Sequence, residues 1–168
     1  ADIQNAYGPN VSHPRSGEIL ESHIGWYHNI MRLLRNWYMI QAGATDPRAG
    51  KIEFDDELMG ELIRFVSSHE VGHTLGLRHN MGASSATPVE KLRDKNWVAA
   101  NGHTASIMDY ARFNYVAQPE DGVTDLYPRI GDYDKWAIKW GYSNINSTSA
   151  EDERSQLNKM IIEAYKNP

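Results

Sequence analysis

Apolar residues recur at helical spacing in two stretches of the chain. From Tyr27 to Ala42, the positions Ile30, Met31, Leu34, Trp37 and Tyr38 share one helical face, and Gly43 is placed to stop the helix. A second stripe runs through Leu58, Leu62, Phe65 and Val66 and continues into His69 and His73. Asp55 or Asp56 can cap this helix, with acidic side chains matching its positive end. Between Glu18 and Trp26 the period shortens to two. Leu20, Ser22, Ile24 and Trp26 fall on one face and Ile19, Glu21 and His23 on the other, which predicts a strand.

Elsewhere the pattern predicts less order. Gly8-Pro9, Asn10 and Pro14 mark residues 1–16 as mostly loop, and Asp46-Pro47-Arg48-Ala49-Gly50 as another. Residues 80–105 read as an irregular excursion with a turn of helix near Val89–Lys95, and residues 114–130 as loop. Asp132 is expected to cap a helix of about two turns ending at Gly141, packed against a lower core by Trp136, Ile138 and Trp140. Thr148 or Ser149, with an acidic residue three positions on, opens a last helix reaching Tyr165. No internal repeat or low-complexity tract interrupts the chain.

The second stripe carries the chemistry. Its end reads His69-Glu70-Val71-Gly72-His73-Thr74-Leu75-Gly76-Leu77-Arg78-His79, or H-E-x-x-H-x-x-G-x-x-H. Residues four apart on a helix share a face, so His69 and His73 present two imidazoles side by side. Gly76 tolerates the left-handed backbone that ends a helix, and His79 can then supply a third nitrogen from another direction. Three protein ligands leave a fourth tetrahedral position for water, as in a catalytic Zn²⁺ site, and Glu70 stands beside it as a general base. Five fixed positions make this pattern far more specific than a bare H-E-x-x-H.

The motif is the signature of the metzincin metallopeptidases, and the chain resembles that clan. Ser106-Ile107-Met108-Asp109-Tyr110 looks like its Met-turn, which makes Met108 an apolar floor under the imidazoles. The resemblance implies a role near the metal for Tyr110, as oxyanion donor or fifth ligand. Asp109 either accepts a hydrogen bond from a ligand histidine or fixes the turn itself. The segments His69–Asn80, Ser106–Tyr110 and Gly131–Tyr142, with Pro14–Leu20 upstream, are similar to a group of large bacterial proteins described as zinc-dependent metzincin-type metalloproteases. Asn80 after the third histidine departs from subfamilies that place Glu or Asp there, so their substrate preferences do not transfer. The Glu18–Trp26 segment is the candidate for the strand that pairs with substrate backbone in metzincins, or it is an ordinary sheet strand.

The implied fold is α+β: a metzincin-like single domain over residues 1–168. Residues 1–76 form an abbreviated upper sheet and helix part ending in the long zinc helix. Residues 77–168 form a helical and irregular lower part with the third ligand and the Met-turn. The short stretch before the zinc helix favours a fragment of a larger chain. The implied activity is that of a zinc-dependent endopeptidase, in which Glu70 activates a zinc-bound water for attack on a peptide bond. The alternative is a catalytically silent zinc-containing binding module of a larger surface or exported protein; hydrolysis of a non-peptide amide is a third reading.

Composition narrows the partners. The 168 residues suffice for one core, and a net charge of −5 without a basic tract argues against nucleic acid. No apolar run reaches the length of a membrane span and no signal-peptide pattern opens the sequence. The absence of cysteine excludes disulfides and thiolate ligands and fits an exported bacterial protein better than a disulfide-dependent animal one. Five Trp and nine Tyr can build a core or line a peptide groove, and the resemblance implies a peptide or protein substrate as the partner. His13, His23, His28 and His103 are expected outside the site, and Glu120, Asp121 and Asp125 lack the spacing of a calcium loop.

Overall fold

The computed structural model describes residues 2–166. Among them the order is β1 (Ala6–Tyr7), β2 (Asn10–Ser12), β3 (Ile19–Ser22), β4 (Gly25–Trp26), α1 (Ile30–Ala42), α2 (Asp56–Thr74), α3 (Lys95–Asn101), α4 (Asp132–Tyr142) and α5 (Ala150–Lys166). This is a mixed α+β chain. It divides into two compact units, one up to Asp134 and one from Lys135 onward.

The first unit is built on the two predicted helices. The stripe of α1 buries Ile30, Leu34, Tyr38 and Ala42, and that of α2 buries Leu58, Leu62 and Phe65. Phe113, Val123 and Leu126 from the irregular segments complete the same core. Burying a residue such as Leu62 contributes about 1.5–3 kcal/mol, enough for a few of them to fix the rotation of α2 and with it the direction of His69 and His73. Asp55 caps α2 by accepting the Leu58 N–H at 2.9 Å, and Asp56 and Glu57 follow in the first turn. The Asp46–Gly50 loop is a 3₁₀ turn over Pro47–Gly50. Buried Asp46 accepts from Tyr38 Oη at 2.7 Å and from the Arg48 guanidinium at 2.8 Å. Burial works against the Asp46 charge, but these donors outweigh it and hold its carboxyl below the usual range.

The N-terminal part is more ordered than its loop signals predict. β1 pairs with β4 and β2 with β3, both antiparallel. The expected Glu18–Trp26 strand is therefore split. Pro9 has no N–H to give a ladder, and an irregularity between Val11 and Ser12 shifts the register. Leu20 and Ile24 are exposed, so the alternating face does not become a core face; Trp26 alone of that set packs on the core.

Two further differences concern helices. The turn expected near Val89–Lys95 is a 3₁₀ turn over Val89–Arg93, followed by the unexpected α3. Asp94 starts α3 by accepting the Asn96 and Trp97 N–H groups, and Gly102, at φ +75°, follows its end. α4 contains Asp132 within its eleven residues and is about a turn longer than expected.

In the second unit Trp136 and Trp140 stack with ring centroids 6.5 Å apart. Ser149 Oγ accepts the Asp152 N–H at 3.1 Å and opens α5, while the Asp152 carboxylate reaches back to the Thr148 N–H at 3.1 Å. No helix among the described residues is long and apolar enough to cross a membrane.

Candidate metal centre

α2 ends where the motif requires. The Leu77 N–H donates to Gly72 O at 3.0 Å and the Gly76 N–H to His73 O at 2.9 Å, the two bonds of a Schellman end. Gly76 sits at φ +91°, a conformation other residues adopt only with strain. The reversal brings His79 back to the helix. The ring centroid of His79 lies 4.6 Å from that of His73 and 5.2 Å from that of His69.

The far side of two of the rings is held. His69 Nδ1 lies 2.8 Å from Ile107 O and His73 Nδ1 lies 2.9 Å from Leu77 O. A carbonyl oxygen only accepts, so both Nδ1 atoms carry a proton, which leaves Nε2 of each ring as the ligating atom. Burial pushes the proton affinity of His69 down, and burial with the nearby His73 does the same for His79. His73 Nε2 stands 3.0 Å from His79 Nε2, and one nitrogen from each of the three rings lies within 4.8 Å of the others. A tetrahedral Zn²⁺ with bonds of about 2.0–2.1 Å needs ligand nitrogens about 3.3 Å apart. The donor set therefore fits such an ion in type and spacing. Among the described residues these three form the one cluster with that potential.

Glu70 follows the first histidine and is buried; burial raises its carboxyl above the ordinary range, with His73 opposing. Met108 is fully buried against α2, where a Cβ on Gly72 would overlap its Sδ. The Asn80 N–H donates to Met108 O at 2.9 Å, which joins the segment after His79 to the segment around Met108. The Tyr110 ring is half-exposed, 4.5 Å from the His79 ring and 5.6 Å from that of His69. The structure thus brings together His69, His73, His79, Glu70, Gly76, Met108 and Tyr110.

Asp109 takes the second of its two expected roles. It accepts from Ser84 N at 2.7 Å and Thr104 Oγ1 at 3.2 Å, so it fixes the turn, and backbone carbonyls orient the imidazoles instead. His103 is buried away from the cluster and donates from Nε2 to Arg112 O at 2.9 Å. Asp121 and Glu120 pair with Arg93, and Asp125 lies near Arg129, so the acidic loop is charge-compensated.

Four supporting residues were not read from the sequence. Asp134 is buried and accepts from Ser106 Oγ at 2.6 Å, Ile107 N at 2.7 Å and Gly131 N at 2.8 Å. It thereby holds the carbonyl that orients His69. At the other end Asn10 Nδ2 donates to His73 O at 3.0 Å, and the backbone at Gly8 passes so close to Glu70 O that a Cβ would overlap it. The Gly8-Pro9 pair signalled only a turn. The last support, Arg112, has its guanidinium 3.7 Å above the Trp37 ring.

A protein-family model described as Met-zincin matches residues 51–168, which hold all three histidines, Glu70 and Met108. No curated protein and no solved structure matches the chain.

Proposed function

The chain belongs to the Met-zincin family, and we propose that it is a zinc-dependent endopeptidase. The observation that carries this reading is the convergence of three imidazole nitrogens beside a buried glutamate. His69, His73 and His79 would hold Zn²⁺ through Nε2. When bound, the ion supplies Lewis-acid polarisation of a carbonyl and acidifies water.

The protein's own groups do the rest. Glu70 accepts the proton of the attacking water at its carboxylate and returns it to the leaving amine nitrogen. The Tyr110 hydroxyl donates to the scissile carbonyl oxygen as negative charge develops there, from a ring already against His79. Ile107 O and Leu77 O keep the proton on Nδ1 of His69 and His73, so that both rings stay in the ligating tautomer. Met108 closes the underside of the site with apolar surface. An intact Glu70 and an intact ligand set favour catalysis over a silent zinc-containing binding module.

The test is digestion of a diverse peptide library by the zinc-loaded protein, read by mass spectrometry. Glu70→Ala should lower cleavage about 10²–10⁴-fold while the protein still binds zinc. Undiminished cleavage by that variant would remove Glu70 from the mechanism. Absence of cleavage by the zinc-loaded wild type would favour the binding module.

A further inference from the structure

Arg112 combines three features that structural packing alone does not call for. It is the one non-glycine residue among those described with a positive φ, at +61°. Such a backbone is strained for an ordinary side chain and persists where the surroundings enforce it. Its guanidinium is half-buried, yet no carboxylate of the described residues pairs with it. Its contacts are aromatic: the guanidinium carbon lies 3.7 Å from the Trp37 ring centroid and 5.4 Å from that of Tyr110.

Stacking fixes the plane of a guanidinium but leaves its N–H edges unspent. A partly desolvated cation with free donors attracts a planar anion more strongly than a solvated one does. The Tyr110 ring bridges the 5.4 Å to Arg112 and the 4.5 Å to His79, so the cation lies within about three residues of extended peptide from the metal ligands. His103 donates to the Arg112 carbonyl at 2.9 Å and so helps hold the strained backbone in place.

We propose that Arg112 is a specificity-determining residue that binds a substrate carboxylate through its free guanidinium edge, and so sets the register of an acidic peptide across the three-histidine site. The proposal rests on the peptidase reading for the identity of the ligand as a peptide. The carboxylate comes from an acidic side chain or from the peptide's own C-terminus. Trp37 holds the guanidinium plane, and Tyr110 lies between the bound carboxylate and the scissile bond.

The test is binding to the zinc-loaded Glu70→Ala protein, followed by fluorescence anisotropy. The probes are labelled Ala/Leu octapeptides with a Glu scanned through each position, their Gln twins, and each with a free or amidated C-terminus. A charge-assisted pair should favour one Glu peptide over its Gln twin, or the free acid over the amide, by about tenfold. The preference should vanish in Arg112→Gln and persist in part in Arg112→Lys, which keeps the charge but not the fork. Equal binding of the twins, a preference that survives Arg112→Gln, or no binding of any peptide overturns the proposal. The comparison of twins on the Arg112 protein needs no variant at that position, so a folding defect in Arg112→Gln does not blunt it. Cleavage by wild type without carboxylate preference would remove this role and leave the peptidase. Carboxylate-selective binding with no cleavage by wild type would do the reverse.

Discussion

His103 shows how a single side chain can couple the site to stability. It is buried beside the turn that carries Met108, and its Nδ1 has no partner. Burial pushes its pKa down from 6.5 to about 4, with the hydrogen bond to Arg112 O and the charge of Asp109 opposing and Arg129 adding to the fall. A folded-state pKa below the unfolded one means stability that is fully present above pH 6.5 and is lost as pH falls towards 4. The difference is worth roughly 3 kcal/mol. Urea unfolding should therefore show wild type losing about that much more stability than His103→Gln between pH 7 and pH 4; parallel curves would contradict the buried neutral ring. The roles of His69, His73 and His79 were readable because helix geometry and a glycine turn dictate where they point. The role of Asp109 was left open between two partners, since sequence adjacency does not say which donors a folded turn will aim at a carboxylate.

At the level of elements, the metal centre depends on a loop tied down from a distance. The carboxylate of Asp134 collects three donors and thereby fixes Ile107 O against His69 Nδ1. Asp134→Asn puts an amide NH₂ where an acceptor is needed and should cost about 2–3 kcal/mol. Zinc affinity should fall with it, measured by competition with a chromophoric chelator. Unchanged zinc affinity in a folded Asp134→Asn protein would show that the carbonyl is placed by other means. Long amphipathic elements were legible: α1 and α2 bury the stripes that periodicity marks. β3 and β4 fall within the strand expected over Glu18–Trp26, but its split and the strands β1 and β2 were not legible, because each piece is too short to impose a period and Leu20 and Ile24 remain exposed. α3 escaped because only Trp97 and Val98 carry its apolar signal and Asp94 alone announces its start. The Asp134 anchor joins residues 27 positions apart, a relation that no local pattern encodes.

Across the whole molecule, the site draws on segments well separated in sequence. The family match begins at residue 51, yet Asn10 and Gly8 meet α2 at His73 and Glu70 from outside that span. α1, also outside it, supplies Trp37 to Arg112 and half of the core that orients α2. The resemblance to metzincins was legible in the five fixed positions of the motif, and the mixed α+β class followed from it. The N-terminal support was not legible, since a glycine's close approach to another backbone leaves no mark beyond the glycine itself. One ion shared by His69, His73 and His79 would join the helix, its reversal and the Met108 segment into a single structure. The most direct test is a zinc count by elemental analysis after dialysis against a weak competing chelator, with an absorption-edge spectrum of the loaded protein. The account predicts one zinc per chain, three imidazole nitrogens at about 2.0–2.1 Å, and loss of the ion in His79→Ala. Zinc that is absent from the wild type, or retained in full by His79→Ala, would contradict it.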